Sequence, residues 1–209
     1  MSAIESTVTE PVAGEHRNRL LQAMAVMAAS KGLAATTIAD IVREAGVSKR
    51  TFYEHFSSKE ACFLSLYRQL AAAALRTLRD ALSGEKPWQS QIEMALHAYF
   101  THLSSGPGLM KALFVEVHHL GPEGMAVRRE VMRNFANFML EVVNGSHPPE
   151  TAGKEPLVLT PTMAMAAVGG INELVIEMIE QGRAESVNAL TPAAAEMVRV
   201  LAHADIADL

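Results

Sequence analysis

This sequence of 209 residues lacks a pair of cysteines that could form a disulfide. It also lacks an apolar leader and an uncharged stretch long enough to span a membrane. The single Cys62 excludes an intrachain disulfide, and we interpret it as a small buried hydrophobe in preference to a redox-sensitive thiol. Residues 1–19 contain no apolar core of a signal peptide. The longest uncharged run, 156–172, is shorter than the roughly 18 apolar residues of a membrane span. We therefore expect a cytoplasmic protein that does not enter a membrane.

An excess of positive charge is also lacking, because 18 Lys and Arg face 23 Asp and Glu and the net charge is −5. This balance argues against binding nucleic acid over the whole surface. The charge is uneven, with a net +1 in residues 1–70 and −6 in residues 71–209. Lys49, Arg50 and Lys59 are grouped within eleven positions. Any attraction for nucleic acid must therefore come from this group.

A helix followed by a sharp turn is predicted just before the basic group. Ile38, Ile41, Val42 and Ala45 occupy positions i, i+3, i+4 and i+7, which places one apolar stripe on a helix. The preceding Thr36 or Thr37 can cap this helix. Gly46 is suited to the left-handed backbone angles that end a helix and turn the chain, and Val47 is the apolar residue of that turn.

A second short helix is predicted after the turn, over Lys49–Tyr53, with Ser48 as its cap. Its buried side would be Phe52, supported by Phe56 one turn later. Its other side carries Lys49, Arg50, Thr51 and Tyr53. Two helices joined by so short a turn form a helix-turn-helix, whose second helix fits the major groove of B-DNA. The alternative interpretation is an ordinary solvated helix face.

The segment resembles the signature of the tetracycline-repressor (TetR/AcrR) family in Ala45-Gly46-Val47-Ser48, Thr51-Phe52-Tyr53, His55-Phe56 and Lys59. The resemblance covers about residues 15–70. It implies an all-helical homodimer with an N-terminal DNA-binding domain and a variable C-terminal domain that binds an inducer. Arg50 stands where that family often has a small residue such as glycine. The DNA sequence that this chain reads therefore cannot be borrowed from the family.

The exposed side of the second helix and its flanks supply the candidate DNA contacts. We expect Lys49 and Arg50 to read bases, because a basic side chain can donate to guanine O6 and N7. Hydroxyl, imidazole and helix-start N–H groups suit phosphate oxygens, and the candidates of this kind are Thr37, Tyr53, His55 and the helix start at Lys59. The full predicted set is Thr37, Val47, Ser48, Lys49, Arg50, Thr51, Tyr53, His55 and Lys59.

Helical periodicity continues along the chain without a strand pattern, so the expected fold class is all-α. We divide the chain into a mobile arm (1–14), a three-helix helix-turn-helix domain (15–58) and a helical ligand-binding and dimerisation domain (59–209). A first helix over His16–Ser30 completes the DNA-binding domain. A long helix from Lys59 to about Leu82 joins the domains without a linker, so it can transmit movement as a lever.

Further helices are predicted in the C-terminal part. They run from Pro87 to about Gly106, then over Leu109–Val117, Glu123–Val143, Pro161–Gln181 and Pro192–His203, with an exposed loop over Asn144–Pro156.

A ligand cavity in the C-terminal part is expected mainly from the resemblance. Nine of the 12 methionines follow residue 70, and flexible thioethers line adaptable apolar cavities, although they also fill ordinary cores. The candidate ligand-binding residues are Met94, His97, Phe100, Met110, Phe114, His118, Phe135, Phe138, Met139, Met165 and Asn172. We expect no cofactor and no metal site, because the histidines of this region have no companion cysteine or acidic cluster at metal-site spacing.

A homodimer is expected through the last two long helices. The stretch from Met163 to Ile171 is apolar on nearly every side, so it must be covered on every side. It lies either at the centre of its own domain or, as we favour, in a four-helix interface between two subunits. On this interpretation, a glutamate in place of Ile171 or Val175 would weaken the dimer. Gly169-Gly170 would let helices approach closely, or bend one helix.

The expected function is that of a ligand-responsive transcriptional regulator, a repressor that releases double-stranded operator DNA when a small apolar or amphipathic inducer binds. One alternative is an architectural DNA-binding protein without a ligand. Another is an enzyme with an accessory DNA-binding domain, but no nucleophile elbow, phosphate loop or dinucleotide fingerprint is present in the sequence. We therefore expect a protein that is not an enzyme.

Overall fold

The computed structural model describes residues 9–82, 88–145 and 159–203, which form nine α-helices and no strand within those ranges. Two 3₁₀ helices, Glu116–Leu120 and Ala184–Leu190, precede the seventh and ninth helices. The all-α prediction is confirmed. The helices are α1 (Thr9–Ala35), α2 (Ile38–Ala45), α3 (Lys49–His55), α4 (Lys59–Asp80), α5 (Trp88–Ser104), α6 (Pro107–Phe114), α7 (Gly121–Gly145), α8 (Pro161–Glu180) and α9 (Thr191–His203).

The predicted helices are all present, with differences at their ends. Helix α1 begins at Thr9 rather than His16, so residues 9–14 of the predicted arm are helical, and residues 1–8 lie outside the described residues. It is broken at Gly32, whose φ of 80° and ψ of 161° are not helical. The predicted loop over 144–156 starts inside α7, and its remainder from 146 lies outside the described residues. The 3₁₀ helix over Ala184–Leu190 was not predicted.

A first hydrophobic core lies between helices α1, α2, α3 and α4 and continues beyond them. Leu20, Met24, Ile41, Phe52 and Phe63 are completely buried in it. The same core also takes in residues of α6, of the first 3₁₀ helix and of α7, namely Ala112, Leu113, Val117, Val127 and Val131. The first four helices are therefore packed directly against elements from the middle of the chain.

Cys62 lies in this first core and has no exposed surface. Burial raises the pKa of its thiol to about 12, so the reactive thiolate is absent at physiological pH. The residue behaves as the small buried hydrophobe that the sequence favours.

A second core lies in the C-terminal part around α8. Ile171 and Val175, which are 7% and 0% exposed, belong to this core. The expectation that a glutamate at either position would weaken the dimer by disturbing its interface is wrong. Both side chains point into their own subunit, so a buried charge there would disturb folding. A Cβ atom at Gly170 would lie 3.0 Å from the Met197 sulfur. This glycine therefore permits the close approach of α8 and α9 within one subunit.

Helix α8 is, among the described helices, the one whose length and composition would allow it to cross a membrane, with a mean hydropathy of 1.4 over its most apolar window. A core helix of a globular protein satisfies the same test. Six of its residues are buried, Ala164, Ala167, Val168, Ile171, Val175 and Met178, and the first five belong to the second core. This packing accounts for the apolar character of the buried side of α8.

Candidate functional site: a DNA-binding surface and an internal cavity

Helices α2 and α3 are joined by a tight turn whose geometry follows from the local sequence. Gly46 has left-handed angles (φ 62°, ψ 39°), and its N–H donates to the Arg43 carbonyl oxygen. The Ser48 hydroxyl then accepts a hydrogen bond from the Thr51 N–H at 3.0 Å and caps α3. Arg19 of α1 donates to the Gly46 carbonyl oxygen at 3.1 Å, which ties the turn to the first helix. The predicted helix-turn-helix is present with its predicted caps.

Helix α3 buries one side and exposes the other. Phe52 is completely buried, and its ring lies 5.8 Å from that of Phe56. Tyr53 is 58% exposed although its ring meets the edge of Phe52. Among the predicted DNA contacts, Lys49, Arg50, Tyr53 and the cap Ser48 are exposed, whereas Val47, Thr51 and His55 are half-buried. The long polar side chains thus stand together on the outer face of α3.

Arg50 has a neighbour that sequence reasoning did not single out. Its Nε donates to the Glu54 carboxylate at 3.2 Å, one helical turn away, and the Arg50 side chain is 91% exposed. An exposed pair of this kind is worth little in stability. The guanidinium can therefore exchange Glu54 for a base at little cost.

Thr37 and Lys59 are engaged in hydrogen bonds within the protein. The Thr37 hydroxyl accepts from the Asp40 N–H and donates to the Asp40 carboxylate at 2.6 Å in a capping box. Hydrogen bonds from Lys31 and Thr37 hold the pKa of Asp40 well below its usual range. The Lys59 ammonium donates to the Leu33 carbonyl oxygen at 2.9 Å. Because this ammonium is already bonded, the predicted phosphate contact at Lys59 would come from the backbone N–H groups at the start of α4.

An apolar cavity of about 260 Å³ lies between α4, α5, α6, α7 and α8. Helix α4 contributes five lining residues, Tyr67, Leu70, Ala71, Ala74 and Leu78. Helix α5, the following turn and α6 contribute Ile92, Ala95, Leu96, Tyr99, His102, Leu103, Ser105, Gly106, Leu109, Met110, Leu113 and Phe114. The rest of the wall is Val131, Met132, Phe135, Phe138, Met139, Val168, Ile171, Asn172 and Val198.

Six of the predicted ligand-binding residues lie on the cavity wall, Met110, Phe114, Phe135, Phe138, Met139 and Asn172. The other five, Met94, His97, Phe100, His118 and Met165, do not line it. Phe100 is completely buried in the second core, and His97 and His118 are exposed. Within the described ranges, no three His, Cys, Asp or Glu side chains come together as a metal site.

The exposed residues of the cavity wall lie at the turn between α5 and α6, and we infer that the cavity opens there. His102 and Ser105 are the exposed polar residues of its wall, and the Ser105 hydroxyl donates to the His102 carbonyl oxygen at 2.6 Å. The remaining polar side chains of the wall are Tyr67, Tyr99 and Asn172. A ligand would therefore enter between His102 and Ser105 and meet an apolar interior with a few polar groups.

Helix α6 connects the cavity wall directly to α1. A Cβ atom at Gly108 would lie 2.3 Å from the Ala29 carbonyl oxygen, so the two helices touch backbone to backbone here. The Glu116 carboxylate, just after α6, accepts a hydrogen bond from the Leu33 N–H beside the break in α1. The Leu33 N–H thus donates to Glu116, and the Leu33 carbonyl oxygen accepts from Lys59. Sequence reasoning missed this contact, because Glu116 and Leu33 are 83 positions apart.

Helix α4 is fixed to α7 beside the cavity. Arg68 donates from two nitrogens to the Glu130 carboxylate at 2.8 to 3.1 Å, and Arg79 donates to Glu141 at 3.2 Å. The Arg79 guanidinium also lies over the ring of Phe138, a residue of the cavity wall. The cavity end of α4 is therefore in direct contact with α7.

Comparison with known proteins identifies the helix-turn-helix. The model of bacterial regulatory proteins of the tetR family matches residues 20–66. The chain is 30% identical over 118 residues to the HTH-type transcriptional regulator YerO of Bacillus subtilis, and 32% identical over 117 residues to the HTH-type transcriptional repressor KstR2 of Mycolicibacterium smegmatis. It is also 32% identical over 98 residues to the nucleoid occlusion factor SlmA of Vibrio campbellii. The resemblance to the TetR family is confirmed.

These alignments leave much of each protein unmatched. They cover 55%, 56% and 46% of this chain and 40%, 50% and 50% of YerO, KstR2 and SlmA. The chain therefore spans about half the length of the curated relatives it matches.

Solved structures share the fold over nearly the whole chain. The fatty acid degradation regulator FadR from Bacillus halodurans has a TM-score of 0.71 at 17% identity, over 88% of this chain and 94% of that one. FadR from Bacillus subtilis, in complex with stearoyl-CoA, has a TM-score of 0.71 at 15% identity, over 90% and 99%. At these identities the likeness concerns the fold alone.

Proposed function

We propose that this chain, whose residues 20–66 match the model of the tetR family, is a ligand-responsive transcriptional repressor that releases operator DNA when an apolar or amphipathic molecule enters the cavity. The observation that carries the proposal is the position of the cavity. Its wall includes α4, which begins directly after the helix-turn-helix, and α6, which touches α1. A ligand bound there contacts two elements that also hold the DNA-binding helices.

The DNA-binding part of the proposal rests on the exposed face of α3. Lys49 and Arg50 would read base edges in the major groove, and Tyr53 and His55 would contact phosphates. The net charge of −5 makes non-specific attraction to DNA weak, so binding depends on these few contacts.

The ligand part rests on the chemistry of the wall. Most lining residues are aliphatic, aromatic or methionine, and the polar ones are few, as is typical of small-molecule sites. FadR from Bacillus subtilis was solved with stearoyl-CoA, a molecule with a long apolar chain. This neighbour supports an apolar or amphipathic ligand for the same fold.

Release of DNA would follow from small movements of α4 and α6. Two DNA-binding heads on one dimer contact both half-sites only at one separation, so a shift of a few ångström would remove one set of contacts. A tenfold loss of affinity requires only about 1.4 kcal/mol. The coupling is reciprocal, so operator DNA would weaken ligand binding by the same factor.

A homodimer through α8 and α9 is part of the proposal. Val200 on α9 is 57% exposed, and Ala166 on α8 is exposed, so apolar surface remains on these helices outside the subunit core. Two subunits that pair through this surface would place their DNA-binding helices on two half-sites of one duplex.

Val200→Glu is expected to weaken the dimer without disturbing the subunit. The charge would be buried twice in a symmetric interface, so the dimer dissociation constant should rise at least about tenfold. Analytical ultracentrifugation at micromolar concentration measures it, and Val26→Glu on α1, where the valine is 48% exposed, is the matched control. A wild-type protein that is monomeric under these conditions would contradict the dimer.

Selection of bound fragments from genomic DNA tests the function. We expect one shared sequence composed of two half-sites, displaced by about 34 to 36 Å or a multiple of it. Enrichment without any shared sequence would favour the architectural DNA binder instead. Conversion of a cavity ligand into another compound, rather than its unchanged recovery, would favour the enzyme.

A further inference from the structure

Two phenol side chains stand out among the polar groups of the cavity. Tyr67 on α4 and Tyr99 on α5 both line the wall, and Tyr67 is only 9% exposed. The Tyr99 ring is held between those of Phe100 and Phe135, each 5.6 Å away between ring centroids. Neither hydroxyl makes a hydrogen bond within the described residues. No fully buried polar side-chain atom in those residues lacks a hydrogen-bond partner, so neither hydroxyl is fully buried. Both hydroxyls therefore keep some accessible surface, and both residues line the cavity.

The other polar groups of the wall are placed differently. The hydroxyl of Ser105 is bonded to the His102 carbonyl oxygen at the mouth. The Asn172 amide donates to the Val168 carbonyl oxygen at 3.1 Å on its own helix. The wall contains no lysine or arginine. Inside the cavity, the donors available to a ligand are therefore the two phenols and the second N–H of the Asn172 amide.

Both phenols remain donors over the physiological pH range. Burial raises the pKa of Tyr67 to about 12, and burial together with the nearby Tyr67 phenol raises the pKa of Tyr99 further. A protonated phenol donates one hydrogen bond, and a donor kept from water in an apolar site is stabilised by an acceptor. A single carbonyl oxygen has two lone pairs and can accept from both.

We propose that the cavity selects an apolar molecule with a neutral carbonyl group, such as a ketone or an ester, whose oxygen accepts hydrogen bonds from Tyr67 and Tyr99. A carboxylate fits less well, because the wall contains no lysine or arginine that would compensate its charge once it is buried. A plain hydrocarbon would leave both phenols without a partner. The inference rests on one premise of the proposed function, which is that the cavity holds a ligand.

Two probes of equal chain length test the inference on the full-length protein. Methyl nonyl ketone carries the carbonyl group and undecane lacks it, and each is titrated against a fluorescent apolar dye bound in the cavity. We expect the ketone to displace the dye about tenfold more tightly than undecane, as in sites built around a hydrogen bond. Tyr67→Phe and Tyr99→Phe should each reduce this preference several-fold and leave undecane binding unchanged. Thr101→Val removes an exposed hydroxyl from α5 outside the cavity wall, so it is the matched control and should change neither.

Three results would overturn the inference. The wild type could bind the two probes equally, it could bind neither probe, or both phenylalanine variants could keep the ketone preference unchanged. Operator affinity measured with the same ketone separates it from the proposed function. A ketone held by the phenols without any change in operator affinity would count against the proposed repressor mechanism alone. Operator release by ketone and undecane alike would count against the carbonyl preference alone.

Discussion

Arg50→Ala is expected to lower the affinity for the selected operator by roughly 2 to 6 kcal/mol, because one base contact worth about 1 to 3 kcal/mol would be lost in each half-site. This corresponds to a loss between about thirty-fold and about twenty-thousand-fold. Arg50 is 91% exposed on α3 and is bound only by the nearby Glu54, so its removal should leave the fold intact. Preference for one base pair in each half-site should disappear with it.

Tyr53→Ala should behave differently, because a phosphate contact carries no sequence information. Fluorescence anisotropy with the selected operator and a shuffled duplex, at one salt concentration, distinguishes the two variants. Tyr53→Ala should weaken both duplexes by the same factor, whereas Arg50→Ala should mainly weaken the operator. Arg129→Ala removes the same charge from an exposed position on α7 and should leave both affinities unchanged. An equal loss on both duplexes for Arg50→Ala would contradict its assignment as a base reader.

The helix-turn-helix could be predicted from sequence because its determinants are local. The stripe of Ile38, Ile41 and Val42, the turn at Gly46 and the cap at Ser48 lie within eleven positions, and each is satisfied by near neighbours. Apolar spacing likewise located the long helices. The exact ends were less predictable, since the start of α1 and the 3₁₀ helix before α9 carry no distinctive capping pattern.

The cavity could not be assigned residue by residue from the sequence. Phe100 follows Tyr99 directly, and periodicity cannot tell which of two adjacent aromatic residues faces a void and which fills a core. In the structure Tyr99 lines the cavity and Phe100 is completely buried. Tyr67 was also missed. Helix α4 was expected to transmit movement between the domains, and its contribution to the cavity wall was not predicted.

The route between the cavity and the DNA-binding helices was also only partly predictable. An uninterrupted α4 follows from its apolar stripe and is present over Lys59–Asp80. The contact of Gly108 with Ala29, and of Glu116 with Leu33, depends on how distant segments pack. Ile171 and Val175 illustrate the same limit, because apolar residues around a helix do not reveal which of them face a partner subunit.

Filling the cavity covalently is expected to weaken operator binding at least about tenfold, which requires only about 1.4 kcal/mol of coupling. Ser105 lies exposed at the cavity mouth, so Ser105→Cys offers an attachment point whose label can reach inside. The new thiolate displaces sulfinate from an alkyl methanethiosulfonate and forms a mixed disulfide. Cys62 should not react, since it is completely buried and its thiol has a pKa of about 12.

The decisive measurement is the operator affinity of Ser105→Cys labelled with a decyl chain, compared with the same variant labelled with a methyl group. Both labels change the mouth alike, and only the decyl chain can occupy the cavity. If occupancy of the cavity controls DNA binding, the decyl-labelled protein binds operator at least about tenfold more weakly than the methyl-labelled one. Equal operator affinities, with the decyl chain shown to exclude the fluorescent dye from the cavity, would contradict the mechanism.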